Sequence, residues 1–404
     1  MQSSDPIGDL LRQTKAVPAP PAAQPVVIGA RISERTNGTR FVVELSDPVP
    51  VRVFTLASPD RVVIDMPSVV WRLRAPPQPS GRSVVRSYRY GLFRPGNSRF
   101  VIDLNAPVTV SKPVVLPPEG GEGYRLVIDL AQTSDAAFDD SAGWPADLKA
   151  REVAAQKLAA LPPPNVPKAL ARTTQKIVVI DPGHGGIDSG THATSGLLEK
   201  DVVLDEALRL RNVLSRRGYL VHLTRDTDTY IPLRERVNIA RGYHADLFIS
   251  IHADSNPDPT VTGASIYTLS ESGSDREAAA LARKENQSDV IAGVDLAGQD
   301  DSVSHILIDL AQRDTINRSS RFAQTAVASL SHTTDILARQ PHRSAAFVVL
   351  KAPDVPAVLI ELGYLSNPSD AGQMATAGWR NGVAEAIAGA VDRHFASVAQ
   401  VLSQ

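Results

Sequence analysis

The chain has 404 residues, 43% of them hydrophobic, enough for two or three domains with cores of their own. Its formal net charge of -2 excludes a strongly basic nucleic-acid-binding surface, and no apolar run reaches the ~20 residues needed to cross a membrane as a helix. It contains no cysteine, which excludes thiolate metal sites, disulfides and cysteine nucleophiles.

The opening Met1-Gln2-Ser3-Ser4-Asp5 lacks the basic start and apolar core of a secretory signal. Two readings follow, a cytosolic protein or a processed form of an exported one. Residues 1–25 turn from polar to Pro-rich at Val17-Pro18-Ala19-Pro20-Pro21, as a disordered or extended leader does.

Residues 26–132 read as all-β. Alternation marks Thr39 to Leu45 and Arg61 to Asp65, with turn signals at Asn37-Gly38 and Ser46-Asp47-Pro48 between them. The segment is internally duplicated. RFVVELSDPVPV (Arg40 to Val51) returns as RFVIDLNAPVTV (Arg99 to Val110), and RVVIDM (Arg61 to Met66) returns as RLVIDL (Arg125 to Leu130). Two copies at a period of about 60 residues make a duplicated unit, not a solenoid, and burying their apolar faces on each other gives a sandwich. The segment holds no histidine and no cluster of reactive groups, so it reads as a binding or localising module. It resembles the AMIN domain, which implies targeting to peptidoglycan or the septum.

Residues 133–173 read as a linker. Leu161 to Pro167 is a stiff Pro-rich stretch, and Ala146 to Leu161 is helix-prone. The flanking domains are expected to move relative to each other.

From residue 174 to 404 strands alternate with helices, which predicts an α/β domain, a mixed sheet flanked by helices. Strands are expected at 176–181, 219–224, 246–252, 263–269, 346–351 and 356–362. Helices are expected at 199–217, 232–242, 274–290, 302–338 and 376–398. Four polar residues stand at element ends. His184 follows the first strand within DPGHGG, Glu199 opens the first helix, His252 ends the strand from Leu247, and Glu361 ends the strand from Ala357. Parallel strands deliver their carboxyl ends to one sheet edge, so His184, His252 and Glu361 meet by topology. Glu199 joins them if the loop 187–198 folds back. Two imidazoles and one carboxylate with a fourth position left open form the ligand set of a catalytic zinc, and the remaining carboxylate suits a general base. Apolar Ile360 and Leu362 would desolvate Glu361 and raise its pKa.

DPGHGG, Glu199-Lys200-Asp201, SIHAD (Ser250 to Asp254) and LIELGYLSN (Leu359 to Asn367) together resemble the zinc-dependent N-acetylmuramoyl-L-alanine amidases over roughly residues 174–398. With the AMIN-like segment, the chain resembles the periplasmic division amidases of Gram-negative bacteria. The resemblance implies Zn2+ held by His184, Glu199 and His252, with Glu361 as the catalytic glutamate. It implies hydrolysis of the amide between N-acetylmuramic acid and L-alanine of the stem peptide, in septal wall splitting. Where members carry SIHAN this chain has Asp254, a candidate partner for a ligand. Two other readings share these residues, a non-catalytic wall-binding scaffold and a zinc peptidase acting on stem peptides.

About 108 residues separate His252 from Glu361, more than the alternation needs. The excess, at about 272–312, is helical around Ser274 to Asp289, followed by a loop from Gly293 to Asp301. In division amidases a similar insertion plugs the zinc site until an activator with a LytM-type domain displaces it. The resemblance implies the same here, with Glu285 the first candidate for the plugging carboxylate and Asp289 the second. His222, His244, His305, His332 and His342 have no ligand spacing and read as core or surface residues, His342 being the one that could approach the site.

Overall fold

The computed structural model describes residues 24–35, 38–73, 83–94, 96–150, 175–294 and 305–402, with side chains placed except at 305–313 and 398–402. Leader residues 1–23, the Pro-rich run 161–167 and insertion residues 295–304 lie outside these residues.

The N-terminal domain is a sandwich of two sheets. One orders β5 (Val70–Trp71), β1 (Val26–Arg35), β2 (Gly38–Leu45), β10 (Tyr124–Gln132) and β8 (Val108–Val110), with β9 (Val114–Leu116) also on β10. The other orders β3 (Arg52–Leu56), β4 (Arg61–Pro67), β7 (Asn97–Leu104) and β6 (Val85–Arg94). Strict alternation in β2 buries Phe41, Val43 and Leu45, which meet Ile64, Phe100 and Ile102 of the facing sheet in one core. The two repeats are not stacked as separate halves. β2 of the first copy pairs with β10 of the second, and β7 of the second pairs with β4 of the first. The exchange sets Arg40 opposite Asp129 in one sheet and Arg99 opposite Asp65 in the other, each an ion pair at 2.6 Å.

The segment expected as a linker begins with a short helix, α1 (Asp135–Ser141). Ser134 caps it by accepting from the Ala137 N–H, and Phe138 enters the sandwich core. Residues 146–150 are helical.

The C-terminal domain is a six-stranded mixed sheet, ordered β12 (Leu220–Leu223), β11 (Ile177–Pro182), β13 (Leu247–His252), β16 (Ala357–Glu361), β14 (Ser265–Leu269) and β15 (His342–Ala345). β12, β11, β13 and β16 are parallel, while β14 runs against β16. On one face α2 (Glu199–Arg216), α6 (His305–Leu330) and α8 (Ala377–Leu402) cover a core that includes Val203, Leu210, Phe322 and Ile387. On the other face α3 (Leu233–Gly242) and α4 (Arg276–Glu285) pack on Phe248, Tyr267 and Leu359.

Three expectations are corrected. Residues 346–351 are not a strand: β15 lies earlier, and Val348–Leu350 form a 3-10 turn. The side chain of Asn286 takes that segment's polar backbone, accepting from Val348 N at 2.9 Å and donating to Ala346 O at 2.9 Å, so no sheet ladder is needed. The helix expected over 274–290 breaks at the same asparagine, giving α4 and a separate turn, α5 (Ser288–Ile291). A further helix, α7 (Pro368–Met374), precedes α8. Its cap is Asn367, which accepts from Ser369 N and Asp370 N.

Candidate metal centre

The turn after β11 is built around a strained histidine. His184 has φ 57, a left-handed conformation that costs a non-glycine residue on the order of 1–3 kcal/mol unless its surroundings impose it. Two buried arginines do so. Arg236 donates to Pro182 O and His184 O, and Arg225 donates to Pro182 O and Gly183 O. Arg236 is itself fixed by Asp181, 2.9 Å away and fully buried in the strand. Burial alone raises the Asp181 pKa, but Arg236 and the hydroxyls of Thr224 and Ser250 outweigh it and hold the carboxyl below its ordinary range. Gly183 is required by contact, since a Cβ there would run into the His252 ring.

The carboxyl ends of β11, β13 and β16 then bring their residues together. Register pairs His252 directly with Glu361. Glu199 reaches the same place because the loop before α2 folds back, with Glu199 N donating to Thr191 O and His192 bridging Leu198. His184, Glu199 and His252 each offer a ligand atom within 4.8 Å of the others. Oε1 of Glu199 lies 3.1 Å from Nε2 of His184 and 3.3 Å from Nδ1 of His252. A tetrahedral zinc with bonds near 2.0 Å spaces its ligand atoms ~3.3 Å apart, so the separations suit such an ion. Nε2 of His184 and Nδ1 of His252 are buried without a hydrogen-bond partner among the described residues. Unpartnered buried nitrogens aimed at one point are what a metal would satisfy.

The electrostatics ask for a cation as well. Buried carboxylates of Asp188, Glu199, Asp254, Glu285 and Glu361 surround the two imidazoles. Burial lowers His184, yet Glu199, Asp188 and Glu285 raise it well above its ordinary value. His252 is raised to about 10, Glu285 and Glu199 outweighing burial. Burial raises Glu199, but the two imidazoles hold it well below the carboxylate range. Asp188 accepts from Nδ1 of His184 at 2.9 Å, which points Nε2 at the cluster.

Glu361 is fully buried. Its Oε2 accepts from Asp254 N at 3.0 Å, and its Oε1 has no partner among the described residues. Burial pushes its pKa well above the ordinary value; His252 opposes this, and the carboxylates of Asp254, Glu199 and Glu285 add to it. The direction agrees with the expectation from Ile360 and Leu362.

The insertion enters the cluster. Oε2 of Glu285, at the end of α4, lies 3.2 Å from Nδ1 of His252 and 3.4 Å from Nε2 of His184. Asp289 does not join it: Oδ1 accepts from Tyr230 OH at 2.6 Å and from Leu233 N at 3.0 Å. Lys284 is ion-paired to Asp254 and donates to Thr191 Oγ1 and Ser255 Oγ. Ser288 donates to Asp188.

Arg225, Arg236, Asp188, Lys284 and Ser288 escaped sequence reasoning. The signal for a basic partner was Asp181 inside an apolar strand, but no spacing says which arginine answers it. Two other histidines have partners elsewhere, and the side chain of His305 lies outside the described ones. His342 meets Thr268 Oγ1 at 3.1 Å, and His222 stacks on Tyr243 with ring centroids 3.6 Å apart.

Comparison with known proteins places the chain in a family. Residues 178–393 match the N-acetylmuramoyl-L-alanine amidase family model, and residues 29–130 match that of the AMIN domain. The chain is 34% identical to N-acetylmuramoyl-L-alanine amidase AmiC of Escherichia coli O6:H1, over 93% of this chain and 91% of that protein. It is 41% identical to the amidase AmiA of Escherichia coli K12, over 57% of this chain and 79% of that one. Among solved structures, amidase AmiC2 of Nostoc punctiforme aligns at 29% identity over 55% of this chain and 97% of its own, with a TM-score of 0.41.

Proposed function

Because this chain belongs to the N-acetylmuramoyl-L-alanine amidases, with an AMIN domain ahead of the catalytic one, we propose a specific assignment of its site: His184, Glu199 and His252 hold Zn2+, Glu361 moves the proton, and Glu285 closes the site at rest. The reaction is hydrolysis of the amide between N-acetylmuramic acid and L-alanine of the peptidoglycan stem. The observation that carries the assignment is the approach of the Glu199 carboxylate to two otherwise unpartnered imidazole nitrogens at 3.1 and 3.3 Å.

When bound, Zn2+ supplies a Lewis acid for the scissile carbonyl and acidifies water. Asp188 holds the His184 ring in one orientation through Nδ1. Glu361 takes the proton as the water oxygen bonds to the carbonyl carbon. As the C–N bond breaks, it returns that proton to the alanine nitrogen. Burial raises this carboxyl well above its ordinary value, which favours its holding the proton between the two transfers.

Glu285 occupies the place a substrate carbonyl would need, so the resting chain is autoinhibited. A LytM-type activator withdraws α4 and exposes the metal. The insertion at 272–312 is then the regulatory element of a catalytic domain at 174–404, with a leader at 1–25, AMIN at 26–132 and a linker at 133–173. The setting is the periplasm, where septal peptidoglycan is split as daughter cells separate.

Metal analysis together with mass spectrometry of digested sacculi tests the reading. One zinc per chain and release of intact stem peptides beginning at L-alanine are expected. Shortened peptides would indicate a zinc peptidase instead, and absence of product with activator present would indicate a scaffold.

A further inference from the structure

The second sheet of the AMIN domain is covered on both faces. Alternation sends Val62, Ile64, Phe100 and Ile102 into the sandwich core, and it turns Arg61, Val63, Asp65, Arg99 and Val101 outward. The outer face of a sandwich sheet ordinarily meets water. Here β4 is buried at every position but its last, because Ile187 and Tyr230 of the catalytic domain and Ala292 and Val294 of the insertion pack on Val63, Val101 and Phe93. The duplication supplies an internal comparison. Arg99 and Asp65 are 1% and 7% exposed, whereas the corresponding pair in the other sheet, Arg40 and Asp129, is 34% and 44% exposed. The equivalent strands with the same ion pair are dry where Trp144, the catalytic domain and its insertion cover them.

The polar contacts converge on one piece of backbone. Arg61 donates to Val290 O at 2.7 Å, Arg89 to Ile291 O, and Arg99 to Ala292 O at 3.2 Å and Gly293 O at 2.9 Å. These carbonyls end or follow α5, where helical N–H groups run out, and Val290 O also accepts from Gly293 N at 3.1 Å. Asp65 grips Arg99 through both oxygens, and the guanidinium lies 3.6 Å from the Phe93 ring centroid, so the donor is held in place before it meets the insertion. The AMIN backbone also abuts the His184 turn. A Cβ at Gly91 would press on Ile187 N, and Leu92 O accepts from Tyr230 N at 3.4 Å.

α5 starts three residues after Glu285, and its first residue, Ser288, bonds the same Asp188 that orients His184. We propose that the AMIN domain, besides any localising role, is an intramolecular clamp: its Arg61–Arg89–Arg99 face holds residues 290–293 and thereby keeps Glu285 in the metal cluster. The clamp rests on the autoinhibited reading of Glu285. It makes undocking of the AMIN face part of activation, so a ligand that draws the AMIN domain away favours the open site.

The test uses the full chain without activator, in three variants: Arg61→Ala with Arg89→Ala, Val294→Asp, and Glu285→Ala. Val294→Asp places a charge in the interface from the insertion side and leaves the AMIN core intact, should the arginine pair impair folding. Hydrogen exchange is read over 276–292, with β2 and β10 as the folding control, alongside release of fragments from labelled peptidoglycan. Both interface variants are expected to speed exchange over 276–292 about tenfold or more, leave β2 and β10 unchanged, and raise basal release several-fold toward that of Glu285→Ala. Unchanged exchange over 276–292 in both interface variants overturns the clamp whatever Glu285→Ala does. Faster exchange with no gain of activity in Glu285→Ala keeps the clamp and removes the inhibitory role of Glu285.

Discussion

Glu285 stands as close to His252 as Glu199 does: Oε2 of Glu285 is 3.2 Å from Nδ1 of His252, and Oε1 of Glu199 is 3.3 Å from it. One carboxylate comes from the start of α2 and the other from an insertion. With Nε2 of His184 they enclose a single point, so in the proposed assignment four side chains face one ion.

Removing the second carboxylate should free the site. Glu285→Ala is expected to raise activator-independent hydrolysis about tenfold or more, since a protein ligand no longer fills the open position. Zinc content should stay unchanged, because three ligands remain. Dye release from labelled peptidoglycan, paired with metal analysis, checks both. A variant that loses zinc would show that Glu285 belongs to the permanent ligand set.

Glu361→Gln keeps shape and hydrogen bonding but cannot accept a proton. A loss of roughly 10²–10⁴ in kcat with little change in KM is expected, as for removal of a general base. Zinc stoichiometry measured on the same sample should match the parent, which separates proton transfer from metal binding.

Asp188 is hydrogen-bonded to His184 at 2.9 Å and acts through it. Asp188→Ala should weaken zinc binding about 10–100-fold, read by competition with a chromogenic chelator. Added zinc should restore most of the rate.

Glu206 offers a pH test far from the chemistry. Burial pushes its carboxyl up to about 8 from 4.5; Arg209 and Arg380 oppose this, and Asp205 adds to it. Neither oxygen has a hydrogen-bond partner among the described residues. The folded state therefore binds the proton more tightly than the unfolded chain. The associated stability is complete below about pH 4.5 and is lost as pH rises through 8, at about 1.4 kcal/mol per unit of difference. Glu206→Gln should match the parent near pH 5 and melt several degrees higher near pH 8. Parallel melting curves across that range would contradict the burial argument.

Much of this was legible in the residues. An apolar run ending in DPGHGG, another ending at His252 and a third ending at Glu361 announce strands whose carboxyl ends carry reactive groups, because strand period and turn chemistry are local properties. The duplicated RFVVEL and RVVIDM motifs likewise announce two β units. They do not say that the copies exchange strands, since pairing of Arg40 with Asp129 and of Arg99 with Asp65 is decided by long-range register.

The sequence by itself determined the fold classes and the four residues at element ends, since each depends on neighbours within a few positions. Tertiary structure alone sets Glu285, and not Asp289, beside the histidines. On one unbroken helix these residues, four apart, would share a face, and the break at Asn286 sends one to the histidines and the other to Tyr230. It also decided that the outer face of β4 is dry. Alternation distinguishes the two sides of a strand, but whether the second side meets water or another domain depends on what packs there.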